Sequence, residues 1–273
     1  MAQRDRRYLI LFMLPAVALF AAFFLLPMSR LVAVGGGGPS GVATYGAILT
    51  EPRYFRSLIS TVLLSVLVTA ATLVIAGIAG VFLQRNSFPG RSALVAMLTF
   101  PLAFPGVVVG FMVIMLAGRQ GVIGDLTALV FGHKAIFAYS MAGLFTGYLY
   151  FSIPRVILTI MAAAEKLDRR LEEAARSLGA SPWQVVRDVT VPALMPAILS
   201  SGAICFATSM GAFGTAFTLA TEIEVLPMTI YTEFTLRANI AVAAALSIIL
   251  GAITWAALAL ARTAAGSSVA AAA

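Results

Sequence analysis

The sequence predicts an all-α polytopic membrane protein, and three observations carry that reading. Of 273 residues, 61% are apolar and only 11% are charged, against roughly 25% charged in an average soluble domain. Mean hydropathy is +1.00. The apolar residues come in blocks rather than in a two- or 3.6-residue alternation, and a soluble domain of this size could not hide so much apolar surface.

Six blocks are long enough to cross about 30 Å of hydrocarbon, which takes roughly 20 residues at helical rise. They lie near 8–28, 60–83, 93–118, 141–164, 198–220 and 238–261. Backbone groups in lipid must be satisfied internally, and these blocks are too long for barrel strands, so they are helices. The first follows Arg4, Arg6 and Arg7, like the basic start of a signal peptide. Its apolar stretch is longer than a signal peptide's, and no small-x-small cleavage site precedes Arg30, so an uncleaved anchor is expected.

The net charge of +7 suggests nucleic acid until the charges are located. They sit in short loops without a basic stripe or interleaved aromatics, and they read as topology signals. Eleven Lys and Arg fall on the side of both termini and of the loops near 84–92 and 165–197, and six on the other. Both termini are therefore expected in the cytoplasm. Cys205 is the only cysteine and His133 the only histidine, which excludes an internal disulfide and a two-histidine metal site.

The connections differ in character. The outer loop 29–59 holds GGGG at 35–38 and then PSG, a flexible link. Tyr45 to Ser60 follows as a short surface helix interrupted at Pro52, either a mere lead-in to span two or a docking surface. QRNSFPGRS (84–92) is a tight polar turn, and 263–273 is low-complexity. The loop 165–197 balances five acids against five bases, so it is a folded element rather than a topology anchor. LDRRLEEAARSLG forms a helix with Leu167, Leu171, Ala174, Ala175 and Leu178 along one face. Gly179 stands where a helix end wants a left-handed residue. Ser181, Pro182 and Gln184 read as N-cap, first position and N3 of a capping box. Trp183 opens the second helix, and Pro192 and Pro196 lead into span five.

The stretch from Glu173 to Pro192, EAARSLGASPWQVVRDVTVP, resembles the EAA loop of bacterial binding-protein-dependent ABC importer permeases. That motif reads EAA, three residues, G, nine residues, I-x-L-P. Glu173, Ala174, Ala175, Gly179 and Pro192 match it letter for letter, and Val189 and Val191 replace the Ile and Leu. TFPLAFPGVVVG (99–110) and the lead-in from Tyr45 to Thr61 also resemble the family. The resemblance implies a type I importer permease fold in the bacterial inner membrane. It implies an anchor and external lead-in over 1–59, a core permease domain over 60–262 with its coupling loop at 165–197, and a tail at 263–273.

In that family the loop docks on ATP-hydrolysing subunits. The resemblance therefore assigns Glu173, Ala174, Ala175, Gly179, Ala180, Ser181, Pro182 and Trp183 to coupling: small residues for close approach, Trp183 as an anchor, and Glu173 for a charge-assisted contact. Alternatively Glu173 pairs with Arg169 or Arg176 on its own helix, worth a few tenths of a kcal/mol. The implied partners are two ATP-binding cassette subunits, a second permease chain, an extracytoplasmic solute-binding protein and membrane lipid, with no nucleic acid. No cofactor is expected on this chain; ATP and Mg belong to the partner ATPases.

No Asp, Glu or His falls inside the six blocks, unlike proton- or sodium-coupled carriers, and no Walker A pattern occurs. Energy must come from a partner. Arg155, beside Pro154, is the one charge within a block, either snorkelling to the inner surface or on the translocation route. Pro101, Pro105, Gly106 and Gly110 break span three, while Gly211 and Gly214 loosen span five. Phe104, Thr208, Ser209, Met210 and Phe213 are the candidate pathway residues, although helix packing alone would explain the same pattern. The chain most resembles permeases of the polyamine, iron(III), phosphonate and sulfate groups, with Ala212 where those groups often carry Glu, and the resemblance implies a polyamine or an organophosphonate as cargo. The rival functions are a passive channel or scaffold and an intramembrane enzyme, the latter lacking a usable catalytic constellation in the spans.

Overall fold

The computed structural model describes residues 12–38, 41–219 and 223–265, and regular structure among them is helical throughout. In chain order the helices are α1 (Phe12–Gly35), α2 (Ala43–Thr50), α3 (Pro52–Arg85), α4 (Arg91–Thr99), α5 (Gly106–Ala117) and α6 (Val122–Phe131). They continue as α7 (Met141–Glu165), α8 (Arg169–Ser177), α9 (Pro182–Met210), α10 (Gly214–Leu219), α11 (Leu226–Tyr231) and α12 (Ile240–Ala265). Six stretches are long and apolar enough to cross a membrane, and each overlaps one expected block. Arg4, Arg6, Arg7 and the tail from residue 266 lie outside the described residues.

The helix boundaries refine the sequence reading. The helix expected over Tyr45 to Ser60 is interrupted at Pro52, and Pro52 opens the 34-residue α3, because a first-turn proline has no hydrogen bond to lose. The part after Pro52 thus belongs to span two, and only α2 is a separate short helix. Span three is broken where its prolines were expected to break it. After α4 the chain makes a 3₁₀ turn at Phe100–Ala103, Phe104 is extended (φ −96°, ψ 132°), and α5 starts at Gly106. Neither Pro101 nor Pro105 can donate an amide to continue α4. Beyond α5 and outside the expected block 93–118, the apolar run VIGDLTALVF folds as α6 and ends at the left-handed Gly132.

Span five begins much earlier than residue 198. The second helix of the loop 165–197 runs without interruption into it as α9, through a wide π-turn at Val186–Thr190. That turn ends just before Pro192, whose ring and missing N–H disturb a regular α-turn. The helix stops at Met210, and α10 follows after a break at 211–213.

The chain divides into two compact units, one of residues 1–56 and 229–251, the other of residues 57–228 and 252–273. In the first, Tyr45 Oη donates to the carbonyl of Val32 at 3.0 Å, tying α2 to α1. Glu233, with 1% of its side chain exposed, accepts from Arg53 and Arg237, each at 3.1 Å. The second unit holds the main apolar core. Leu64, Val68 and Ala76 of α3 meet Leu144, Tyr148, Ile157 and Ile160 of α7, with Val113, Leu194, Cys205 and Leu219 completing it.

Within this unit α5 crosses α10 at closest range through glycine. A Cβ on Gly110 would stand 2.6 Å from the Thr218 Cβ. Gly110→Ala is therefore expected to destabilise the protein by roughly 1–3 kcal/mol through overpacking. Gly77→Ala on α3, where a Cβ meets nothing within 4 Å, should be neutral or stabilising by about 0.5–1 kcal/mol. Paired melting curves in mild detergent check this contrast.

Candidate functional site

The loop 165–197 folds from signals written locally in its sequence. Asp168 caps α8, its side chain accepting from the Arg170 amide at 3.0 Å. At the far end the Ala180 amide donates to Ala175 O at 3.1 Å and the Gly179 amide to Arg176 O at 2.9 Å. This double closure needs a left-handed residue, and Gly179 has φ +88°. Ser181 and Gln184 form the expected reciprocal capping box, with Pro182 in the first turn of α9. Two helices thus leave a tight corner that glycine alone makes without strain.

At this corner Glu173, Ala174, Gly179, Ser181, Pro182 and Trp183 are exposed, while Ala175 and Ala180 are half-buried. Among the described residues Glu173 forms no ion pair, so neither Arg169 nor Arg176 takes it up. The apolar stripe is also open: Leu171 is 56%, Trp183 70% and Leu178 89% exposed. Val185, 2% exposed, is the residue that seats the corner on the protein.

The neighbouring Glu172 has a role that the sequence reading missed. Its Oε1 accepts from Arg85 Nη2 at 2.5 Å and from Thr190 Oγ1 at 3.2 Å. Both charged side chains are only 16% exposed. Arg85 is the last residue of α3 and Thr190 closes the π-turn of α9. One carboxylate therefore joins α8, α3 and α9. A basic residue ending a helix also complements the helix dipole, so Arg85 alone gave no sign of its partner.

The helix breaks meet around a cavity of about 280 Å³, lined by Pro101, Leu102, Phe104, Gly106, Phe151, Arg155, Thr208, Ala212, Gly214 and Thr215. Three hydroxyls fix its walls. Tyr148 Oη, deep in α7, donates to Ala212 O at 2.5 Å within the α9–α10 break. Thr215 Oγ1 donates to Gly106 O at 2.9 Å. Thr218 Oγ1 donates to Gly214 O at 2.9 Å and reaches Val107 O at 3.3 Å. Phe104 sets its ring edge against Phe100, with centroids 5.0 Å apart.

Of the five candidate pathway residues, Phe104 and Thr208 line this cavity. Ser209 and Met210 are fully buried in the chain, and Phe213 is half-buried with its ring 5.3 Å from that of Phe217. Arg155, which the sequence left between the inner surface and the route, is on the cavity wall. Its side chain has no acidic neighbour in the lining and no ion pair among the described residues.

Known proteins share this architecture. The family described as "Binding-protein-dependent transport system inner membrane component" matches residues 72–265. The molybdenum transport system permease protein ModB of Escherichia coli (strain K12) is 35% identical over 193 residues, 68% of this chain and 81% of its own. The putative 2-aminoethylphosphonate transport system permease protein PhnU of Salmonella typhi is 28% identical over 250 residues, 89% of this chain and 86% of its own. A chain in the crystal structure of a bacterial alginate ABC transporter, bound to its alginate pentasaccharide-loaded periplasmic protein, aligns with a TM-score of 0.79. It is 18% identical, and the match covers 96% of this chain and 95% of that one. The chain belongs to the inner-membrane components of binding-protein-dependent transport systems, the permease subunits of ABC importers.

Proposed function

We propose that this permease pairs with a second permease chain to enclose the solute route, and that its corner at Gly179 seats on an ATP-hydrolysing subunit. The observation that carries the reading is the unpartnered corner: a free Glu173 beside exposed Leu171, Leu178 and Trp183, presented on a backbone fixed by two caps. Exposed apolar groups rimmed by charge mark a protein-binding surface. Both termini and this corner lie in the cytoplasm, as the Lys and Arg distribution supports, and a solute-binding protein delivers cargo from outside, as the family description supports. ATP and Mg are held by the partner ATPases. The phosphonate half of the cargo expectation is favoured over polyamine, since a relative spanning 89% of this chain is named for 2-aminoethylphosphonate transport.

Glu172 supplies the mechanical link. ATP-driven approach of two ATPases moves the corner, and the Arg85–Glu172–Thr190 junction passes that movement to the cytoplasmic ends of α3 and α9. The junction is hydrogen-bonded and mostly shielded, so removing one partner strands the other.

Purification from native membranes tests the docking. Glu173→Lys should weaken ATPase retention about tenfold or more, the size expected for losing a charge-assisted contact. Gly179→Val, which forces a β-branched residue to positive φ, should also release the ATPase; a parent complex that never retains an ATPase overturns the reading. For the junction, Arg85→Gln and Glu172→Gln should each lower ATP-coupled uptake. Their combination should cost less than the sum, with an interaction energy of about 1–3 kcal/mol in the double-mutant cycle. Additive losses would remove the junction from the mechanism.

A further inference from the structure

Arg155 stands fourteen residues into α7 and ten before its end at Glu165. Ten residues are about 15 Å of helix, and the stretch Met141–Glu165 is long and apolar enough to cross a membrane. The side chain is exposed, faces a cavity without a carboxylate, and has no ion-pair partner among the described residues. An unpaired cation inside a span persists only beside water, so this wall is wet. Thr208 and Thr215 add hydroxyl oxygens, but their protons already go to the carbonyls of Ile204, Cys205 and Gly106. Among the described side chains of the wall the guanidinium is therefore the donor with no ion pair or hydrogen bond, and its planar fork suits two oxygens of one anion.

We propose that Arg155 makes this cavity an anion-attracting stretch of the solute route, fitted to a small polyatomic oxyanion such as a phosphonate. The inference rests on the import reading above and names the cargo class of that route. At about 280 Å³ the cavity takes a small solute with some of its water. One charge without a surrounding cage attracts the solute yet lets it leave, as conduction requires.

The test measures the charge preference of the cavity without needing the cargo. In the assembled transporter in inner-membrane vesicles, Thr208→Cys is made together with Cys205→Ala. Its modification rate is compared for a methanethiosulfonate bearing a sulfonate and one bearing a trimethylammonium group. Arg155 also affects how much thiolate is present, but that factor cancels in the ratio of the two rates. Arg155→Gln should lower the sulfonate-to-ammonium ratio roughly tenfold, since losing one charge slows the anion and speeds the cation. Arg155→Lys should keep the ratio within about twofold of the parent, because it keeps the charge. A ratio unchanged in Arg155→Gln overturns the proposal, as does a thiol that neither reagent reaches in any nucleotide state. ATPase activity in the same vesicles separates the cases: if it stays coupled, only the anion assignment falls, and if the parent vesicles hold no ATPase, the import reading falls with it.

Discussion

A backbone carbonyl inside a membrane must find a donor, and the helix breaks of this chain are arranged around that demand. Two segments interrupt helices in the second unit, at 100–105 and 211–213. Irregular backbone at such depth survives only when buried in protein or facing a cavity. Here it does both. Tyr148 reaches from the core of α7 to the open carbonyl of Ala212, and Thr215 and Thr218 bond across to the first residues of α5. The glycines at 106, 110 and 214 let the backbones come close enough for these bonds to form. The cavity is what remains where the two breaks face each other, so its shape depends on those few hydroxyls.

Much of this was legible in the residues. The six spans follow from block length alone, and the corner between α8 and α9 follows from Gly179, Ser181, Pro182 and Gln184 because capping is a local matter of three or four residues. The break in span three was announced by Pro101 and Pro105. What the sequence concealed was continuity and pairing. Pro192 and Pro196 were expected to lead into span five, but nothing in them showed that the loop's second helix runs on through a π-turn as part of that span. Glu172 and Glu173 are identical letters one position apart, and a helix points them about 100° apart. One is bound inside a junction with Arg85, 87 residues away in sequence, and the other forms no ion pair among the described residues. Arg155 could likewise be placed only once α5, α7 and α9 were packed together.

The corner and the cavity also divide the chemistry cleanly. The side chains proposed to meet a partner, Glu173 and Trp183, are exposed at the corner. Those proposed to pass on movement, Glu172 and Arg85, are shielded, and the Glu172 carboxylate accepts two hydrogen bonds. A substitution at the first kind should spare the fold, while one at the second should disturb both fold and coupling.

The unbroken course of α9 has a mechanical meaning. Trp183 at the Gly179 corner and Thr208 on the cavity wall lie on one helix, 25 residues or about 37 Å apart. Tilting one end of a rod of that length by about five degrees sweeps the far end through ~3 Å, about the width of a water molecule. Pro192 and Pro196 each withhold an amide from the column, yet the helix continues through the wide turn and past both. A displacement at the corner and one at the cavity wall are thus linked by a single helix.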